Sequence, residues 1–336
     1  MRIEQWESDR SVLVVAEVGN NHEGSMALAE ELIGHAAAAG VGAVKFQTIT
    51  PDRLVAPSQP DRLQQLERFV LPAGAFEKLS QVAKQEGVLF LSTPFDLGAV
   101  DELRPLVPAY KVSSGDLTFL PLLQKIAQAG KPVILSTGMA TMDEVKEAVR
   151  VIEEAWRNAD LPAPGVALLH CVSAYPTPGN QANIATISTL KQLGHVVGYS
   201  DHTLGVDAAV LAVALGARII EKHFTVDRNR STFRDHQLSA DPAMMKELVA
   251  RVDSAFEMLG SGEKKVLSIE ASTREASHRS IVAARDLAEG TTIAIEDLTW
   301  LRPAGGLAPG QESLLVGAHL VRTIRRGEPI EPKDLR

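Results

Sequence analysis

Polar residues recur two apart at the ends of apolar, β-branched runs. Lys45 and Gln47 stand in AVKFQTI, Lys111 and Ser113 in AYKVSS, Ser200 and His202 in VVGYSDH, and Glu221 and His223 in ARIIEKHF. In a strand, residues i and i+2 point to the same side, so each pair aims at one place, where a packed core would carry Val or Leu. Glu17 ends a run of the same kind, Thr93 and Thr137 end two others, and Cys171, Ser173 and Tyr175 share one parity on another. Two lysines turned into a common mouth are costly to desolvate unless they meet an anion, so a phosphate or carboxylate on a substrate is the expectation. His202 and His223, with Glu17 and Glu221 near, suit a divalent cation held by imidazole and oxygen with positions left open for water.

The elements that must position these residues are eight strand runs: 11–19, 43–49, 88–95, 109–114, 132–138, 166–173, 196–202 and 217–224. Helix-like segments such as MALAEELIGHAAAAG, MDEVKEAVRVIEEAW and VDAAVLAVALG separate most of them, several ending in glycine. Eight βα repeats predict an α/β fold, a (β/α)8 TIM barrel, with the site at the C-terminal ends of the strands. The barrel is expected over residues 1–262, a polar linker over 263–279, and a small mixed domain over 280–336, where SIVAARD and HLVRTI read as short strands.

Composition narrows the function classes. The chain has 336 residues, of which 45% are hydrophobic and 23% charged, enough for a sizeable core. A formal charge of −8 without a basic run argues against nucleic acid as a partner. No stretch approaches the roughly 20 apolar residues of a membrane span, and the opening MRIEQWESDR is too charged for a signal peptide, so a cytoplasmic protein is expected. A single cysteine, Cys171, excludes an internal disulfide or a thiolate cage, and its apolar neighbours suggest a buried structural thiol. His170 has the outward parity and should pack against helices, while His35 and His195 should be exposed. GNNHEG lacks the spacing of a phosphate loop and is read as a turn shaping the rim. No role suggests itself for Trp6, Trp156 or Trp300.

AEVGNNHEG, VKFQ, STPF, KVSSGD, STGM, LHCVSAYPTP, GYSDHT and EKHFTVD, in this order on successive strands and followed by RSIVAARD and RPAGGLAPG, resemble the sialic acid (N-acetylneuraminate) synthase family. The likeness runs from about residue 12 to the end, where the last segment is similar to that family's antifreeze-like (SAF) domain. It implies condensation of phosphoenolpyruvate with an N-acetylated hexose such as N-acetylmannosamine, releasing phosphate, with Mn2+ or Mg2+ and in a domain-swapped homodimer. By the resemblance, His202 and His223 are the metal ligands, and Glu17 and Glu221 are the acidic residues beside the reacting centre. Lys45, Gln47, Thr93, Lys111, Ser113, Ser136, Ser173 and Ser200 match the surroundings of phosphoenolpyruvate, with Lys45 and Lys111 also catalytic. Tyr175, Asp235, Asp116 and Arg302 match sugar-binding positions, Arg302 being lent to the partner's site.

That chemistry has the metal polarise the open-chain aldehyde while the lysines hold phosphate, and a water deprotonated by Glu17 or by the metal adds to C2. The loop DRNRSTFRDH departs from the pattern: relatives often have Gly-Pro before the Asp-His, where this chain has Phe233 and Arg234. Ser173 stands where neuraminate synthases commonly have Asn, and Asp116 where some have Glu. The acceptor is therefore open between N-acetylmannosamine, a phosphorylated hexosamine and a 2,4-diacetamido-2,4,6-trideoxyhexose, the last two belonging to neuraminate-9-phosphate and to legionaminate or pseudaminate synthases. Joining phosphoenolpyruvate to an aldose phosphate, as in 3-deoxy-octulosonate-phosphate synthases, is argued against by the C-terminal domain. A non-catalytic carbohydrate or ice binder would leave the polar rim without purpose.

Overall fold

The computed structural model describes residues 1–336 and divides into two compact units, Met1–Gly260 and Ser261–Arg336. In the first unit a hairpin, β1 (Arg2–Ile3) and β2 (Trp6–Glu7), precedes eight parallel strands. These are β3 (Leu13–Gly19), β4 (Ala43–Thr48), β5 (Leu89–Pro94), β6 (Tyr110–Val112), β7 (Val133–Ser136), β8 (Val166–His170), β9 (Val196–Asp201) and β10 (Ile219–His223). The ladder runs β5-β4-β3-β10-β9-β8-β7-β6, so β10 closes back onto β3, and β5 and β6 meet without a ladder. The result is a nearly closed TIM barrel with helices around it.

Because helices cover the outside and side chains fill the inside, both faces of each strand are buried. Alternation then sorts residues between two layers. Outward Val14, Ala16 and Val18 pack under the helices, whereas inward Leu13, Val15, Leu91, Ile134, Leu169 and Ile219 fill the lumen. Ile3 and Trp6 of the hairpin join that inner layer and plug the barrel at the strands' N-terminal end, which accounts for Trp6. Trp156 anchors helix Met142–Asn158 in the outer layer. That helix starts from a capping box in which Thr141 and Glu144 satisfy each other's backbone N–H groups. No helix is long and apolar enough to cross a membrane.

In the second unit β11 (Ser280–Ala283) and β12 (Leu298–Leu301) pair antiparallel over a small core that includes Ile281, Leu287, Leu298, Leu320 and Ile324. HLVRTI forms no ladder. His319, Leu320 and Ile324 each bridge a different segment, opposite Thr292, Leu335 and Leu287, so its pairing never propagates. The polar stretch 263–279 carries a 3-10 turn, Ser268–Glu270, and a short helix, Ala271–Ser277, neither of which buries a residue.

Gly198 shows how tightly the barrel wall is drawn behind the site. A Cβ there would lie 2.5 Å from the Ile219 carbonyl oxygen and 3.1 Å from side-chain atoms of Ile219 and Leu169. Gly198→Ala should therefore cost about 1–3 kcal/mol, read as a lower melting temperature by circular dichroism; an unchanged melt would contradict this packing.

Candidate active site

Strand register assembles the site before any loop contributes. Glu17 at the end of β3 sits opposite Lys45 of β4 on one side and His223 of β10 on the other, and Glu221 sits opposite Ser200 of β9. The inward side chains surround a cavity of about 360 Å³ at the strands' C-terminal ends. Lys45 Nζ lies 2.9 Å from Glu17 Oε2 and 3.6 Å from Glu221 Oε2, and donates to Thr93 Oγ1 at 3.2 Å. Lys111 Nζ donates to Ser136 Oγ at 2.6 Å and to the Val112 carbonyl at 3.0 Å, and stands 3.8 Å from Glu221 Oε1. Ser200 donates to Glu221, and Gln47 to Glu17, both at 2.9 Å. Ser113, Ser173 and Tyr175 complete the wall.

All four charged groups are buried, yet their proton affinities diverge. Burial raises the Glu17 pKa, and the charge on Glu221 adds to the rise while Lys45 opposes it. Burial pushes Glu221 the same way, but Lys111 and Lys45 outweigh it and bring its pKa to about 2. Burial disfavours the Lys45 cation, but Glu17 and Glu221 overcome this and raise its pKa; for Lys111 burial prevails and the pKa falls. The site thus holds one firmly ionised carboxylate and one that takes up a proton more readily, the division that acid–base chemistry requires.

His202 and His223 lie beside this array with ring centroids 5.7 Å apart, and Tyr175 covers His202 at 4.3 Å. Burial, reinforced by His223, lowers the His202 pKa to about 4, and burial lowers that of His223, so both rings are neutral near pH 7. His202 Nδ1 is 2.9 Å from the Val172 carbonyl and donates to it, leaving Nε2 with a free lone pair, while the buried Nδ1 of His223 has no hydrogen-bond partner. This donor set fits a divalent cation. No third His, Cys, Asp or Glu completes a cluster, so other ligands would come from water or substrate.

Three expected residues stand elsewhere. Asp116 lies behind the wall, accepting from Ser113 Oγ at 2.6 Å. Asp235 lines a second chamber of about 730 Å³ that also borders Asn20, Glu23, Arg68, Phe69 and Phe233. Arg302 is an exposed residue of the second unit. Cys171 is buried as expected and also lines the cavity, 3.0 Å from Ser114 Oγ. Burial pushes its thiol pKa up, the state of an unreactive thiol. His170 packs outward, its Nε2 2.9 Å from the Ala182 carbonyl. His195 is half-buried, contrary to expectation, because its loop lies along the Met142–Asn158 helix, where it faces Glu153 at 3.9 Å.

Sequence reasoning passed over Asp201 and Lys222, one residue before each histidine and therefore on the outward face. They form a buried ion pair at 2.7 Å; Lys222 also donates to the Thr203 carbonyl, and Asp201 accepts from the Thr203 N–H and hydroxyl. The pair ties together the two strand ends that carry the histidines. The sequence shows only charged residues at the outward parity of two strand ends, which does not separate a buried pair from solvated charges.

Comparison with known proteins shows the family of both units. The model of the NeuB family matches residues 32–264 and that of the SAF domain residues 278–336. An uncharacterised protein of Methanocaldococcus jannaschii is 41% identical over 90% of this chain and 88% of its own. The N,N'-diacetyllegionaminic acid synthase of Legionella pneumophila is 38% identical over 95% of this chain and 93% of its own. The solved N-acetylneuraminic acid synthetase of Leptospira borgpetersenii superposes with a TM-score of 0.74 at 33% identity, covering 79% of this chain and 90% of that one.

Lys222→Met leaves Asp201 buried without its partner and should destabilise the protein by about 3–5 kcal/mol. The double variant Asp201→Leu/Lys222→Met should recover much of this in a denaturant melt; a double variant as unstable as the single would show that the pair is not what matters.

Proposed function

The chain belongs to the NeuB family, and on that premise we propose how its barrel works as a nonulosonic (sialic) acid synthase. It is a carbon–carbon bond-forming transferase that condenses phosphoenolpyruvate with an N-acetylated hexose, N-acetylmannosamine or a relative, and releases phosphate. The observation that carries the reading is the convergence of Lys45 and Lys111 on one cavity with Glu17 and Glu221.

In this reading Lys45 and Lys111 bind the phosphate and carboxylate of phosphoenolpyruvate, with Gln47, Thr93, Ser113, Ser136, Ser173 and Ser200 as the surrounding hydrogen-bonding groups. Phosphoenolpyruvate is then fixed with C3 toward the acceptor's aldehyde carbon, so that orientation replaces a chance encounter. Family synthases are generally metal-dependent; His202 and His223 would hold the cation, Mn2+ or Mg2+, which when bound polarises the aldehyde oxygen as a Lewis acid. As C3 attacks, positive charge develops at C2, and Glu221, ionised down to about pH 2, lies in the same cavity to stabilise it. A water then adds to C2 and gives its proton to Glu17, the carboxylate whose proton affinity burial has raised. The resulting tetrahedral carbon expels phosphate by C–O cleavage, its hydroxyl proton leaving with the phosphate as the C2 ketone forms, and the proton held by Glu17 passes to the alkoxide left on the former aldehyde oxygen.

Tyr175 and Asp235 face the acceptor in this proposal, and Asp116 acts through Ser113. Arg302 reaches the sugar of a partner subunit in a domain-swapped homodimer, an arrangement supported by the small core of the second unit. The free thiol of Cys171 accords with a reducing, cytoplasmic setting.

The test is phosphate release from phosphoenolpyruvate with manganese and N-acetylmannosamine, its 6-phosphate, mannose or a 2,4-diacetamido-2,4,6-trideoxyhexose, followed by product mass. Release with an N-acetylated sugar and a product heavier by the pyruvate unit is expected. His223→Ala should abolish metal-dependent turnover; full metal-dependent turnover in that variant would remove the metal assignment.

A further inference from the structure

Asp201 and Lys222 take no part in the reaction proposed above, yet their side chains are at most 1% exposed. Their surroundings are apolar: Tyr199 and Ile220, two residues earlier on the same strands, pack in the outer hydrophobic layer. Taking two charges out of water there is costly, and their mutual attraction does little more than offset the cost, so apolar side chains of similar volume would hold the layer together at least as well. Stability gives no reason for a charged pair at this place. Its position does.

The pair grips the chain on both sides of His202. Asp201 Oδ1 accepts from the Thr203 N–H at 2.8 Å and from the Thr203 hydroxyl at 2.7 Å, while Lys222 Nζ donates to Asp201 Oδ2 at 2.7 Å and to the Thr203 carbonyl at 2.8 Å. His202 is thereby enclosed in a turn tied to β10 at the residue before His223. Backbone pairing alone does not make this connection. His223 pairs with Glu17 of β3, but on the β9 side the register ends with Lys222 opposite Asp201. The two rings also differ in their own support. The His202 ring is held by the Val172 carbonyl, and the His202 carbonyl accepts from the Thr177 N–H at 2.8 Å. The His223 carbonyl accepts from the Ala240 N–H at 2.7 Å, but its buried Nδ1 has no partner, so the place of this ring follows from where its strand end is anchored.

Resting on the synthase reading above and on its metal assignment, we propose that Asp201 and Lys222 are positioning residues for the divalent cation. They set the spacing and aim of His202 and His223 across the junction of β9 and β10, without touching the cation themselves. Two imidazoles on separate strand ends hold a cation tightly only if the free protein already presents them together, since ordering them during binding is subtracted from the affinity.

Titration of the full-length, chelator-treated protein with Mn2+, followed by electron paramagnetic resonance without substrates, tests this. Calorimetry with phosphoenolpyruvate in the absence of metal and a thermal melt are read on the same samples. Asp201→Leu/Lys222→Met should bind Mn2+ about ten-fold more weakly than the wild type or worse, with its affinity for phosphoenolpyruvate unchanged. Asp201→Asn/Lys222→Met, uncharged but with the acceptor for Thr203 retained, should lie between the two, and it carries the test if the first variant does not fold. Wild-type affinity for Mn2+ in either folded variant would overturn the inference, as would equal losses of Mn2+ and phosphoenolpyruvate affinity, the mark of a purely structural pair. Absence of saturable Mn2+ binding in the wild type would instead remove the metal assignment, and this inference with it, while phosphate release decides the synthase reading separately.

Discussion

Two lysines and two glutamates buried side by side at the mouth of an apolar barrel set the terms for the rest of the structure. Each such charge costs several kcal/mol to take out of water, so the array is tolerable only if every member keeps its partners. Lys45 is held between Glu17 and Glu221, and Glu221 is shared between Lys45, Lys111 and Ser200. These contacts exist only because β3, β4, β9 and β10 keep their register, since a slip of one residue would turn the charged side chains under the helices. The lumen packing of Leu13, Val15 and Ile219, plugged by Ile3 and Trp6, and the Asp201–Lys222 pair behind the histidines are what hold that register.

The same constraint explains why so much of the barrel could be read from the chain. Polar residues two apart at the ends of apolar runs leave few alternatives to a parallel barrel with a shared rim, and the cavity contains Glu17, Lys45, Lys111, His202, Glu221 and His223 as that pattern required. Asp201 and Lys222 went unread because an outward residue at a strand end looks solvated until the covering layer is known. The chamber was illegible for another reason. The Phe69–Phe233 contact and the Glu23–His236 bridge join segments more than a hundred and sixty residues apart, and no periodicity encodes such loop-to-loop distances. In the second unit HLVRTI has the alternation of a strand but meets a different partner at each bridge, which alternation alone could not reveal.

Two kinds of structure therefore meet at the strands' C-terminal ends. The groups proposed to handle phosphoenolpyruvate stand on strand ends fixed by backbone ladders, where small displacements are resisted by the whole barrel. The chamber beside them is bordered by two loops joined by the Phe69–Phe233 contact.

The central claim is that the buried lysines hold phosphoenolpyruvate, and calorimetric titration of the sugar-free protein with phosphoenolpyruvate tests it most directly. The account predicts saturable binding that weakens at least ten-fold in Lys111→Met, in line with the roughly 2–5 kcal/mol lost when one member of a buried charge pair is removed. Equal affinity in the wild type and Lys111→Met, with both proteins folded, would contradict it.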